Sequence, residues 1–208
     1  CNWSELLDFN LLFETNFGPI SSVGDSVDKP RYFLRPETAQ GIITNFENVI
    51  KTTRKKLPVG VAQIGKAFRN EIAPRDFVFR TREFEQMEIE YFCHPEDSPR
   101  IHKEWIEFCH AWCLSYGLKS SNVKLVEHAP EDLSHYSVAC TDIEYLYGSF
   151  WGEMWGVANR TDFDLKAHLI ARFIWLDIEA AANAKRHGHG MHFDAGNVFV
   201  LHHNAIAR

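Results

Sequence analysis

From residue 84 to residue 92 the chain alternates as an extended strand does: Phe84, Gln86, Glu88 and Glu90 share one side, and Met87, Ile89 and Tyr91 share the other. A strand with that many carboxylates on one face is not a plain core strand; one face packs and the other does chemistry. Just upstream, residues 66–72 read as a partner strand, with Arg69 and Glu71 on one face and Phe68 and Ile72 on the other. The segment between them, residues 73–83, holds Pro74, Arg75, Arg80 and Arg82, which predicts two antiparallel strands joined by a mobile, cationic flap. Guanidinium groups present forked donors that suit phosphate and carboxylate oxygens. The expected ligand is therefore a polyanion beside something cationic.

The pattern Phe68-Arg69-Asn70-Glu71, loop, Arg80-Thr81-Arg82-Glu83-Phe84, followed by Glu88, resembles motif 2 of class II aminoacyl-tRNA synthetases. Further segments resemble the homodimeric type of glycyl-tRNA synthetase: Phe9-Asn10-Leu11-Leu12-Phe13, Leu34-Arg35-Pro36-Glu37-Thr38-Ala39-Gln40-Gly41, Gln63-Ile64-Gly65-Lys66, Leu133-Ser134-His135-Tyr136-Ser137, and Trp151-Gly152-Glu153 through Arg160-Thr161-Asp162-Phe163-Asp164-Leu165. The likeness runs over roughly residues 3–168, with its motifs in order.

The resemblance implies an α+β fold, an antiparallel sheet flanked by helices. It also implies site roles. Arg69 would hold the ATP α-phosphate and the amino-acid carboxylate, Glu71 the adenine amino group and Arg80 the γ-phosphate, while Phe84 stacks on adenine. Arg82 and Glu153 complete the ATP-binding set, and Glu37 and Glu88 join Arg69 around glycine. The implied reaction joins glycine and ATP into glycyl-adenylate and passes glycine to tRNA(Gly), with Mg2+ bridging the phosphates. Arg69 would act by positioning and by stabilising charge on the phosphorus, with no acid or base required. A homodimer is implied for the full-length enzyme. Residues 1–168 then read as a partial catalytic core that includes motif 2, and residues 169–208 as a divergent C-terminal segment. Motif 1 would lie upstream, and no motif 3 is recognised, so the chain reads as a central piece of a longer enzyme. The rival is a synthetase-like binding protein without ligase activity, of the polymerase accessory-subunit type.

Composition is ordinary for one globular domain, 45% hydrophobic and 24% charged, and a formal net charge of -6 argues against a dedicated nucleic-acid coat. The strip Lys51, Arg54, Lys55 and Lys56 reads as a solvated helix end in preference to an RNA contact. No run is long enough to span a bilayer and no signal peptide opens the chain, so a cytoplasmic enzyme without membrane contact is expected. Five cysteines, an odd number without small-scaffold spacing, fit reduced thiols. No metal site is expected: Cys1 alone cannot make one, and Cys109 and Cys113 read as packing beside His102 and His110.

Along the chain, residues 9–17 read as a strand followed by a loop to Pro30, and residues 31–35 as another short strand. Pro36 marks a place where a helix can begin, carried on by Ile42, Ile43, Phe46, Val49 and Ile50. Glu37 at that junction suits the helix dipole, and the resemblance also turns it to the amino-acid pocket. Ile101, Trp105, Phe108 and Trp112 predict the buried stripe of a second helix. Residues 123–127 and 142–147 predict strands, the second with Ile143, Tyr145 and Tyr147 on one face, and His135 between them reads as a hydrogen-bonded structural histidine. In residues 151–158 alternation sets Glu153 opposite Gly152 and Gly156; Glu153 either pairs with Arg160 or lines the cleft. Residues 178–185 predict a helix, and His187, His189, His192, His202 and His203 a solvated histidine-rich tail.

Overall fold

The computed structural model describes residues 9–16, 31–75, 79–168 and 197–203. In chain order its elements are β1 (Glu14–Thr15), β2 (Tyr32–Phe33), α1 (Ala39–Thr53), β3 (Val59–Phe68), β4 (Glu83–Cys93), α2 (Ser98–Ser115), β5 (Val123–Glu127), β6 (Ala139–Tyr147), β7 (Phe150–Asn159) and β8 (Asn197–His203). Six of the strands make one sheet in the order β3-β4-β8-β7-β6-β5, every neighbouring pair antiparallel. The remaining two, β1 and β2, pair separately. This is the α+β architecture expected.

A helix packs on each face of the sheet. Ala39, Ile42 and Ile43 of α1 bury against Val59 and Phe92, with Leu165 joining them, and Phe46 stacks on Phe92 at 3.9 Å between ring centroids. On the opposite face Cys109 and Cys113 of α2 pack with Val123, Ile143, Trp155 and Val157. Both thiols are fully buried, and burial pushes Cys109 up to about 12, so it behaves as a small apolar side chain. The stripe of α2 holds in part: Ile101 is buried and Trp105 packs into the core, with Ser98, Cys109 and Cys113 buried beside them, while Phe108 is 57% exposed. The aromatic periodicity pointed slightly off the true axis. The side chains that reach the sheet closely are the small ones, and Trp112 lies at the margin, stacking on Tyr116 and Trp155.

Several boundaries move. The partner strand stops at Phe68, so Arg69 and Glu71 lie beyond its end and share no strand face, and Ile72 is 73% exposed instead of packed. Helix α1 begins at Ala39 and not at Pro36, and the Thr38 N–H just ahead of it donates to Gln86 on β4. The strand expected over residues 9–17 is only Glu14–Thr15; Leu11 and Asn10 instead offer their carbonyls to Asn70. The largest change concerns residues 197–203. They are not a solvated tail but a strand, β8, inserted between β4 and β7, so the backbone positions of His202 and His203 lie within the sheet. The readings for Cys1, residues 18–30, 178–185, His187, His189 and His192 lie outside the described residues. Lys51, Arg54, Lys55 and Lys56 are exposed at the end of α1, as expected of a solvated end. Among the described residues no helix is long and apolar enough to cross a membrane.

Candidate active site

Alternation in β4 is kept along its length, with an inversion of the usual burial. Phe84, Gln86, Glu88, Glu90 and Phe92 are buried, while Met87, Ile89 and Tyr91 are only half-buried. The buried side faces α1. A buried carboxylate must find partners, and the start of α1 supplies them: the Thr38 N–H donates to Gln86 Oε1 at 3.1 Å, and the Thr38 hydroxyl donates to Glu88 Oε2. Glu90 is different. Among the described residues neither of its oxygens finds a hydrogen-bond partner, and its carboxyl is held well above the ordinary value of 4.5 by burial, opposed by the charge of Arg160 and reinforced by Glu88, Asp164 and Glu37. Arg160 is itself buried, grips Asp164 through two bonds of 2.8 and 2.9 Å, and lies over the Tyr136 ring at 4.1 Å. Burial opposes its charge, and the carboxylates of Asp164, Glu90 and Glu37 overcome that. Of the two readings left open for Glu153, a pairing with Arg160 or a place in the cleft, the ion pair that Arg160 makes here is with Asp164.

Arg69 leaves the end of β3 toward this cluster. Its N–H donates to the Arg82 carbonyl at 2.9 Å, its Nε reaches the Pro36 carbonyl at 3.3 Å, and its guanidinium sits 5.3 Å from the centre of the Phe84 ring. Pro36 is next to Glu37, which is half-buried and accepts a bond from Gln40. One more arginine fixes the surroundings: Arg35 Nε donates to the Lys66 carbonyl at 2.6 Å, passing over Gly65, where a Cβ would stand 2.3 Å from the guanidinium. A side chain there would make the tip of Arg35 swing aside.

The flap is built as a hairpin extension. Arg75 and Arg80 pair across it, Arg82 Nε donates to the Glu71 carbonyl at 3.0 Å, and Phe79 packs edge-on against Tyr147 and Phe150 at the turn between β6 and β7. Arg80 and Arg82 are exposed and Glu71 is half-buried. The flap thus crosses from the β3–β4 end of the sheet to the β6–β7 hairpin.

On the far side of β8 lies a second polar group. Glu88 and Gly156 both stand opposite His202 in register, so they share a face two strand spacings apart, about 10 Å. A register shift where Ile143 and Glu144 meet β7 leaves Met154 as the extra residue. That bulge brings Glu153 onto the Gly156 face and overturns the expected alternation: a Cβ at Gly156 would stand 3.3 Å from Glu153 Oε1 and 3.4 Å from Asp142 Oδ1. Asp142 Oδ2 bonds His128 Nε2 at 2.8 Å, which raises the His128 pKa. His128, not His135, is the hydrogen-bonded histidine here; His135 is exposed and makes ring contacts with Tyr136 and Phe163.

Arg69, Phe84, Glu37 and Glu88 are therefore brought together, Glu153 stands across β8 from them, and Arg80 and Arg82 belong to the flap. The sequence reading missed Thr38, Arg35 and the His128–Asp142 pair. Thr38 and Arg35 sit inside the quoted Leu34–Gly41 segment, where nothing in the spacing marks which residues turn to β4. His128 and Asp142 become neighbours only through strand pairing. A cation, an aromatic ring and paired carboxylates on one sheet face can hold a molecule with an anionic, an aromatic and an ammonium part.

The family model of the tRNA synthetase class II core domain (G, H, P, S and T) matches residues 23–192, a span that reaches past residue 168. The chain is 52% identical over 168 residues to the glycine-tRNA ligase of Caldanaerobacter subterraneus subsp. tengcongensis, covering 81% of this chain and 35% of the relative. It is 54% identical over 168 residues to that of Ruminiclostridium cellulolyticum, with the same coverage. For Macrococcus caseolyticus the identity is 53% over 170 residues, covering 82% of this chain and 36% of the relative. The chain spans about a third of the length of these curated relatives.

Proposed function

Because the chain belongs to the tRNA synthetase class II core domain family (G, H, P, S and T), we propose that it carries the adenylation site of a glycine-tRNA ligase, joining glycine and ATP into glycyl-adenylate for transfer to tRNA(Gly). The observation that carries this reading is the Arg69 guanidinium lying over Phe84 beside Pro36, next to Glu37 and to the Glu88 held by Thr38.

Arg69 would bind the α-phosphate and the glycine carboxylate together. As that carboxylate attacks phosphorus, negative charge grows on the phosphoryl oxygens and the fixed guanidinium meets it. Phe84 offers the face on which adenine stacks, with Glu71 at the adenine amino group; Arg80 and Arg82 on the flap meet the outer phosphates. Glu37 and Glu88 take the glycine ammonium. Glycine offers no side chain to grip, so selection rests on excluding bulk near that ammonium, and a closed wall rejects alanine by steric overlap. Glu153, beside Gly156 across β8, would face the phosphate side of a nucleotide laid over the sheet. It is an oxygen donor of the kind that suits Mg2+, which would enter with ATP and neutralise phosphate charge. A cytoplasmic homodimer acting on tRNA(Gly) belongs to the same reading.

The test is glycine-dependent ATP–pyrophosphate exchange by this chain and by Arg69→Ala. Exchange with glycine, and not with alanine or serine, should fall by at least about 100-fold in the variant. ATP binding without exchange, weakened by Arg69→Ala, would mean that the site needs the rest of the longer protein. A folded chain that binds no ATP overturns the reading and leaves the non-catalytic binding protein in its place.

A further inference from the structure

We propose that His128, Cys140 and Asp142 form a binding site for one borderline-soft divalent cation of the zinc class, on the open face of β5–β7. Their ligand atoms, an imidazole nitrogen, a thiol sulfur and a carboxylate oxygen, all lie within 4.8 Å of one another. Backbone pairing fixes them in place. Cys140 and Asp142 are two apart on β6 and so share a face, and the His128 N–H donates to the Cys140 carbonyl at 3.0 Å. Asp142 already joins the other two: its Oδ2 bonds His128 Nε2 at 2.8 Å, and its Oδ1 accepts from Cys140 Sγ at 3.8 Å.

Zinc takes nitrogen and oxygen at about 2.0–2.2 Å and sulfur at about 2.3 Å, so tetrahedral ligand atoms stand roughly 3.3–3.8 Å apart. To reach that spacing the His128–Asp142 contact opens by about half an ångström and the widest separation closes by about 1 Å, which side-chain rotation supplies without moving a strand. Coordination passes the Cys140 thiol proton to solvent and leaves a thiolate on the metal. The donor set discriminates, because nitrogen and sulfur suit zinc and serve Mg2+ poorly. This site is therefore distinct in chemistry from any magnesium carried by ATP.

The surroundings favour a cation. Asp142 and Glu153 act electrostatically on both His128 and Cys140, and Asp132 acts on His128. Among the described residues, Lys124 on β5 is engaged by Glu144 at 2.7 Å. All three ligands are half-buried, reachable by an ion yet partly desolvated. Because residue 156 is glycine, Glu153 Oε1 and Asp142 Oδ1 can approach one point from two sides, which leaves room for a water in the fourth position. The inference does not depend on ligase activity.

The experiment is titration of the reduced full chain with Co2+, a spectroscopic stand-in for zinc. One equivalent should develop a thiolate-to-cobalt band in the near ultraviolet and the visible bands of a four-coordinate ion. The signal should survive excess Mg2+ and vanish on adding one equivalent of Zn2+. Cys140→Ser should lose the thiolate band, Cys1→Ser should keep it, and His128→Gln should weaken binding by at least about ten-fold. Absence of the band overturns the proposal, as does a band retained in Cys140→Ser. Binding without thiolate character, as the histidines near the C-terminus would give, overturns it too. If Cys140→Ser fails to fold, the unaltered chain still decides: Zn2+ must slow alkylation of Cys140, followed by peptide mass, and an unchanged rate refutes the site.

Discussion

On the β3–β4 side of β8, Glu88 and Glu90 are fully buried beneath the start of α1; on the β6–β7 side, Asp142 and Glu153 stand half-buried beside His128 and Cys140 on the same face of the same sheet. Burial makes the difference between them. In the closed group each charge must be met by something fixed, since water cannot reach it: the Thr38 hydroxyl meets Glu88, the Arg160 charge acts on Glu90, and Glu90 is driven toward its protonated form. The open group contains a second titratable nitrogen and a thiol, keeps contact with solvent, and can exchange internal hydrogen bonds for a ligand. A carboxylate-rich face is thus two devices, one preorganised by its core and one adaptable.

The comparison is broken most easily at Arg160, the buried cation of the closed group. Arg160→Met should leave Asp164 without its two bonds and Glu90 and Glu37 without their opposing charge, costing about 3 kcal/mol or more in urea denaturation. A loss below about 1 kcal/mol, the size of an exposed pair, would mean that solvent screens the closed group after all.

Next in size is Thr38→Val, which keeps the side-chain shape and removes the hydroxyl bond to Glu88. The expected cost is about 1–3 kcal/mol, that of losing one hydrogen bond to a buried carboxylate. Asp142→Asn on the open side keeps an acceptor for His128 and should cost less than Thr38→Val in the same assay; the reverse order would invert the assignment of closed and open groups.

Much of this division was legible in the sequence, and its limits have physical causes. Alternation in residues 84–92 placed Gln86, Glu88 and Glu90 on one face because a strand without a bulge preserves parity. The same logic failed at Glu153, since one extra residue at Met154 reverses parity and no residue type announces it. It failed for Arg69 and Glu71 because the strand ends at Phe68, where the Arg69 N–H turns to the Arg82 carbonyl. Strand β8 was missed because its histidines were read by composition, although Val198, Phe199, Val200 and Leu201 precede them as an apolar run. Non-local contacts such as Thr38–Glu88 and His128–Asp142 are set by register between strands and helix, and local spacing carries no record of them.

The sharpest test of how dry the closed group is comes from its pH dependence. Glu90 sits well above the ordinary 4.5, chiefly through burial, with Arg160 opposing and Glu88, Asp164 and Glu37 adding. In the unfolded chain this carboxyl loses its proton near 4.5, while in the folded chain it keeps the proton to higher pH. Between those two values the folded state binds more protons, so stability falls as pH rises. The contribution is fully present below the unfolded value and is lost as pH passes through the folded one. Glu90→Gln removes the ionisation while keeping the shape and a neutral head group. Its stability relative to the parent should therefore rise as pH climbs above the ordinary 4.5, giving a flatter pH profile in urea denaturation. Parallel profiles would show that Glu90 ionises alike in both states, and the closed group would then be no drier than the open one.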